Sequence, residues 1–337
     1  MAANDELGEL LGGGELAAFH GKPADAVGVL ERAVVLAQSQ GRGAEVAAAA
    51  WLLGVALAAG GRYGGALTVL SPLAESGGAA GAPPERRLFA ALAGATIASV
   101  HRQLGRHGVA READRGALSL TDGTGEAAFD ALLGLASGAV GLDDGEEAAA
   151  RLAAAAAGRA RGGRGRGGRG SGGRGRGGRW CGARRRGPVV ASAGAPGLGG
   201  RRGVDAGRRR RRGRGPRPRR RRGAERARAP RHVAKGLLIQ GIAEVGAGRD
   251  GAAATLRRAA GLAESLGCLP LVWSARALLG ALLTGDDREE GERSLAAARS
   301  AVRTLAADLP PGVRAQWLAR ADVTALLQGR EDVPPDV

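Results

Sequence analysis

The residues with the strongest chemical signature in this chain are arginines spaced by glycine. RGG triplets stand at Arg161–Gly163, Arg166–Gly168 and Arg176–Gly178, and unbroken arginine runs at 208–212 and 219–222. Such residues suit one kind of chemistry: guanidinium groups neutralise phosphates, and their planes stack on unpaired bases. From 158 to 232 there are 27 Arg against one Asp and one Glu, which is +25; the whole chain is +17, so the remainder carries −8. Trp180 is the single aromatic residue from 158 to 229, whereas proteins that bind single strands interleave aromatic side chains among the charges.

Other reactive residue types do not assemble into a motif. Neither Lys22 nor Lys235 is followed by Ser or Thr, so there is no phosphate-binding loop of the GxxxxGK[ST] kind. His20, His101, His107 and His232 lack the Cys or carboxylate companions of a metal site. Asp143, Asp144, Glu146 and Glu147, and again Asp286, Asp287, Glu289 and Glu290, lie where helices begin. Carboxylates there are favoured by the helix dipole without any catalytic role. Cys181 and Cys268 make neither a disulfide framework nor a metal set, as expected of a cytoplasmic protein. No catalytic, cofactor-binding or metal-binding residue is assigned, and no cofactor is expected.

The elements that would have to position any site are helices. Ala and Gly abound and aromatics are scarce, which disfavours a sandwich or barrel core. Large and small apolar residues recur in pairs of segments. The first pair has Gly14 and Ala17, a turn at His20–Pro23, then Ala26, Leu30 and Ala33. The second has Leu53, Gly54 and Leu57, a turn at Gly60–Arg62, then Ala66, Leu70 and Leu73. The third has Ile97, Ala98 and His101, a turn at Leu104–Arg106, then Ala110 and Ala117, with Asp114 where a large apolar residue should stand. The fourth has Ala136 and Ala139, a turn at Leu142–Gly145, then Ala148, Leu152 and Ala155.

Beyond the arginine tract the pattern resumes. Ile239 and Ala243 precede Ala252, Leu256 and Ala259; Leu278, Leu279 and Leu282 precede Leu295 and Ala298. Pro310–Pro311 open a last helix through Trp317, Leu318 and Leu326. The marker alanines Ala26, Ala66, Ala110 and Ala148 are 40, 44 and 38 residues apart, room for two helices and two loops. Small residues at each crossing let two backbones approach, and pairs must stack because one pair buries too little by itself.

This spacing resembles tetratricopeptide-type repeats, with a period longer than the usual 34 and without the aromatic late in each first helix. The segments RHVAKGLLIQG (231–241), LAESLGCLPLVWSARALLGALL (262–283) and LPPGVRAQWLARADVTALL (309–327) resemble the helical region of large bacterial regulators, the LuxR-type ATPases. The resemblance implies an all-α, α-hairpin solenoid in two blocks, repeats over 1–157 and further repeats with a capping helix over 231–329; composition sets apart the Arg/Gly-rich segment 158–230 between them, and 330–337 is expected to be a disordered tail. The resemblance implies two stacks, each with a concave face lined by first helices, and a non-catalytic scaffold for a protein or peptide, a detached part of a transcriptional regulator.

The tract itself admits three readings. Its larger apolar residues, Trp180, Cys181, Val189, Val190, Leu198 and Val204, are too few to offset the entropy of ordering it, so it is expected to be disordered. It is then a nucleic-acid (RNA) binding segment, a solvated linker, or alanine-rich repeat sequence translated out of frame. In the last case GCG codons become CGG, arginine, or GGC, glycine. Two lysines among so many arginines suggest GC-rich coding DNA, and the 104 residues from Ala148 to Ala252 would hold one or two more repeats. Translating the DNA of this stretch in its other two frames separates the third reading from the first two. MAANDELGEL lacks the basic start of a signal peptide. Apolar runs such as 47–59 are short and interrupted by glycine, so no membrane association is expected.

Overall fold

Glycine and alanine set the helix crossings, and leucine fills them. In the computed structural model, which describes residues 2–79, 81–140, 145–164, 230–283 and 287–329, the chain is all-α: fourteen helices and no strand among the described residues. They are α1 (Ala2–His20), α2 (Pro23–Ser39), α3 (Gly43–Gly60), α4 (Tyr63–Ser76), α5 (Pro84–Gln103), α6 (His107–Ser119), α7 (Gly125–Val140) and α8 (Gly145–Arg164). After the tract come α9 (Pro230–Gly246), α10 (Ala252–Leu266), α11 (Leu269–Leu282), α12 (Arg288–Ala307), α13 (Pro311–Leu318) and α14 (Ala321–Gln328).

The turns expected at His20–Pro23, Gly60–Arg62 and Leu104–Arg106 separate helices as the sequence places them, while 142–144 of the fourth lie outside the described residues. Proline occupies the first turn of α2, α5, α11 and α13, where its missing N–H costs nothing. Gly61 closes α3 with φ 85° and Gly105 follows α5 with φ 72°, left-handed conformations that a side chain would strain. Four crossings then nest a leucine against a glycine. A Cβ on Gly14 would overlap Leu30, one on Gly54 would overlap Leu70, one on Gly241 would overlap Leu256, and one on Gly280 would overlap Leu295.

On each side of the tract consecutive helices pack against one another, and the first helices also pack together: α1 on α3, α3 on α5, α5 on α7, and α9 on α11. The first helices thus form an inner layer, backed by α2, α4 and α6. The sequence divides the helices into two stacks, but in the structure the described residues before and after the tract form one compact unit, because α9 packs on α1 and α11 on α3. Leu52, Leu53 and Leu57 of α3 share a core with Ala234 of α9, Trp273 of α11, Leu305 of α12 and Trp317 of α13.

Two boundaries differ from expectation. The helix expected from Pro310 through Leu326 is broken at Arg320, whose backbone is extended (φ −60°, ψ 140°) and whose guanidinium reaches across to the Gln103 carbonyl. Residues 158–164, assigned to the disordered tract, continue α8. The rest of that tract, 165–229, and the tail 330–337 lie outside the described residues.

Candidate interaction surface

α3 is apolar on nearly every side: Ala47, Ala48, Ala49 and every residue from Leu52 to Ala58 are buried. A helix of that kind needs partners all round, and α3 has α1, α2, α4, α5 and α11. It is also, among the described residues, the one helix long and apolar enough to cross a membrane, a length that the glycine-interrupted sequence does not suggest. In this fold its apolar surface is spent inside the unit.

The first-helix face, where the sequence places a partner, is therefore taken over α1 and α3 by the chain's own α9 and α11. Polar clasps hold it shut. Asp308, after α12, accepts from the backbone N–H groups of Gly64 (2.6 Å) and Gly65 (3.3 Å) at the start of α4. Only glycine fits at 64, because a Cβ there would run into the Asp308 carbonyl. Arg320 donates to the Gln103 carbonyl at the end of α5 (3.3 Å) and pairs with Asp322 (2.8 Å). A carboxylate at a helix start and a guanidinium at a helix end each complement the dipole. The buried Tyr63 hydroxyl donates to Gln103 Oε1 (2.8 Å), and burial holds that phenol well above its ordinary pKa. The Arg231 guanidinium lies 5.6 Å from the centre of the Phe19 ring.

The aromatic residues complete the core. Trp273 and Trp317 meet edge to face with centroids 6.4 Å apart. Trp51 stands between Phe19 and Phe89 at 6.2 and 6.1 Å. Trp180 and Cys181 lie outside the described residues.

What stays open is further along the inner layer. α7 exposes Glu126, Asp130, Leu133 and Ser137, at positions that line one side of a helix. Leu133 is 42% exposed. A shallow groove also runs along α1 and α2, lined by Glu6, Leu10, Glu31, Arg32, Val35 and Leu36.

The histidines are spread apart: His101 is buried in α5, His107 starts α6, and His20 and His232 are exposed. Among the described residues no three His, Cys, Asp or Glu side chains gather as a metal site requires. Burial pushes the Cys268 thiol above its ordinary pKa, away from the reactive thiolate. The acidic helix starts do structural work. Glu147 pairs with Arg111 (3.0 Å) and Arg151 (3.2 Å), and Asp287 caps α12 by accepting from Glu290 N–H (3.4 Å). Asp143, Asp144 and Asp286 lie outside the described residues.

Asp114 is the residue whose role the sequence only half discloses. Its type breaks the apolar pattern, and the structure buries it completely against Arg102 of α5 and Gly134 of α7. Comparison with protein-family models, with curated proteins and with solved structures gives no match.

Proposed function

We propose that this chain is a non-catalytic helical-repeat scaffold of tetratricopeptide-like design that binds a protein or peptide, and that it is a detached part of a bacterial transcriptional regulator. The observation that carries the reading is the repeated glycine–leucine crossing, Gly14 with Leu30, Gly54 with Leu70, Gly241 with Leu256 and Gly280 with Leu295. A chain built this way devotes its residues to stacking hairpins and to presenting helix surfaces. With α1 and α3 covered, the partner's place is the exposed stripe of α7, where Leu133 supplies apolar contact between Asp130 and Ser137.

A second reading follows from composition: the arginines between 158 and 230 bind RNA or DNA. One experiment addresses both. The full chain is compared with a Leu133→Asp variant and with a variant carrying serine for the arginines at 208–212 and 219–222. Each is tested on a peptide array and on labelled single-stranded RNA. Peptide binding lost in Leu133→Asp and kept in the serine variant supports the scaffold. Salt-sensitive RNA binding lost in the serine variant, with no peptide bound by any form, overturns it in favour of the nucleic-acid reading.

A further inference from the structure

Four crossings close on glycine against leucine; the fourth hairpin, α7 with α8, does not, and neither does the third. There the first helix offers Ala98 and the second offers Asp114, which has no solvent exposure. Arg102 Nη1 donates to Asp114 Oδ2. Oδ1 has no hydrogen-bond partner. The same carboxyl group presses on the backbone of α7, where a Cβ on Gly134 would overlap both of its oxygens. The contact between the third and fourth hairpins therefore turns on a buried carboxyl group held from one side only.

The charges around it are few. From α5 the facing group is Arg102, and from α7 it is Asp130, one turn before Gly134. On α6 itself Arg111 is engaged by Glu147 of α8. Lys235 of α9, itself solvent-exposed, lies near Arg102 and Asp130. Removing a carboxylate from water disfavours its charged form, and a guanidinium neighbour only partly restores it.

We propose that Asp114 is a proton-operated joint: neutral, it lets α6 seat firmly on α7, and ionised, it loosens the third hairpin from the fourth. Burial, the largest influence, moves its carboxyl up to about 7, Arg102 pulling it down and Asp130 pushing it further up. A folded-state pKa above that of the unfolded chain means stabilisation that is complete below about 4 and lost as pH rises through the folded value. The element affected is α7, whose exposed stripe moves with the joint. The inference rests on the packing and the charges around Asp114, so it stands or falls separately from the scaffold reading.

The test uses the full chain with its aspartates labelled at the carboxyl carbon, followed by NMR from pH 4 to 9. The Asp114 signal, identified by its loss in Asp114→Asn, should titrate with a midpoint near neutrality. Amide exchange within 125–140, corrected for the intrinsic rate, should be about tenfold less protected at pH 8 than at pH 6 in the parent chain. It should show no such change in Asp114→Asn. A midpoint below about 5, or equal pH dependence in the two proteins, overturns the proposal. If Asp114→Asn does not fold, the signal is assigned in the parent chain and its midpoint decides alone.

Discussion

Leu70 lies directly over Gly54, so close that a methyl group on residue 54 would occupy the space of the leucine's Cγ and Cδ2. Gly54→Ala should therefore destabilise the unit by about 1–3 kcal/mol, the usual cost of overpacking a filled core. Gly12, on the exposed side of α1, has no atom within 4 Å of such a Cβ. Gly12→Ala should gain roughly 0.5–1 kcal/mol from helix propensity alone. Urea unfolding of the two variants checks the opposite signs.

Asp308 satisfies two N–H groups at the start of α4 from a helix 244 residues away. Asp308→Ala should cost about 1 kcal/mol, as removal of a helix cap does. Asp308→Asn should cost less. Thermal melts of both variants against the parent give the comparison.

Because Leu57 and Trp273 belong to one core, the helices before and after the arginine tract should unfold together. Leu57→Ala should cost about 2–5 kcal/mol and Trp273→Ala about 3–5 kcal/mol. Each should shift the same single transition, followed by circular dichroism and by tryptophan fluorescence. Two separate transitions, each moved by one variant only, would show two independent stacks.

His101 makes the unit acid-sensitive. Burial, reinforced by the nearby Arg106 charge, lowers its pKa to about 4. A histidine depressed in the fold contributes stability that is full above about 6.5 and is lost as pH falls through the folded value. The loss amounts to about 3 kcal/mol at most. His101→Leu should flatten the melting temperature between pH 6.5 and 4, and a variant as acid-sensitive as the parent would contradict this. The slope is opposite to that expected from Asp114.

The hairpins were legible because their code is local. Gly14 and Leu30, or Gly54 and Leu70, are 16 residues apart, and the turns at Gly60–Arg62 and Leu104–Arg106 carry the glycines that end each first helix. The joining of the two stacks was not, since the Gly64–Asp308 and Gln103–Arg320 contacts obey no periodicity. The break at Arg320 was hidden for the same reason: its cause is a carbonyl on α5. At Asp114 the sequence shows a polar residue out of place but not Arg102 and Gly134 beside it. The open stripe of α7 emerges only once α9 and α11 are seen to cover α1 and α3.

The Asp308 clasp also fixes an order of events at the ribosome. At roughly 5–20 residues per second, the 244 residues between Gly64 and Asp308 take about 12–50 s to synthesise. For most of that interval Leu53 and Leu57 have neither Trp273 nor Leu305 to cover them. The nascent amino-terminal half waits with a sticky flank, and a chaperone that shields apolar surface should shadow it until the carboxy-terminal helices emerge.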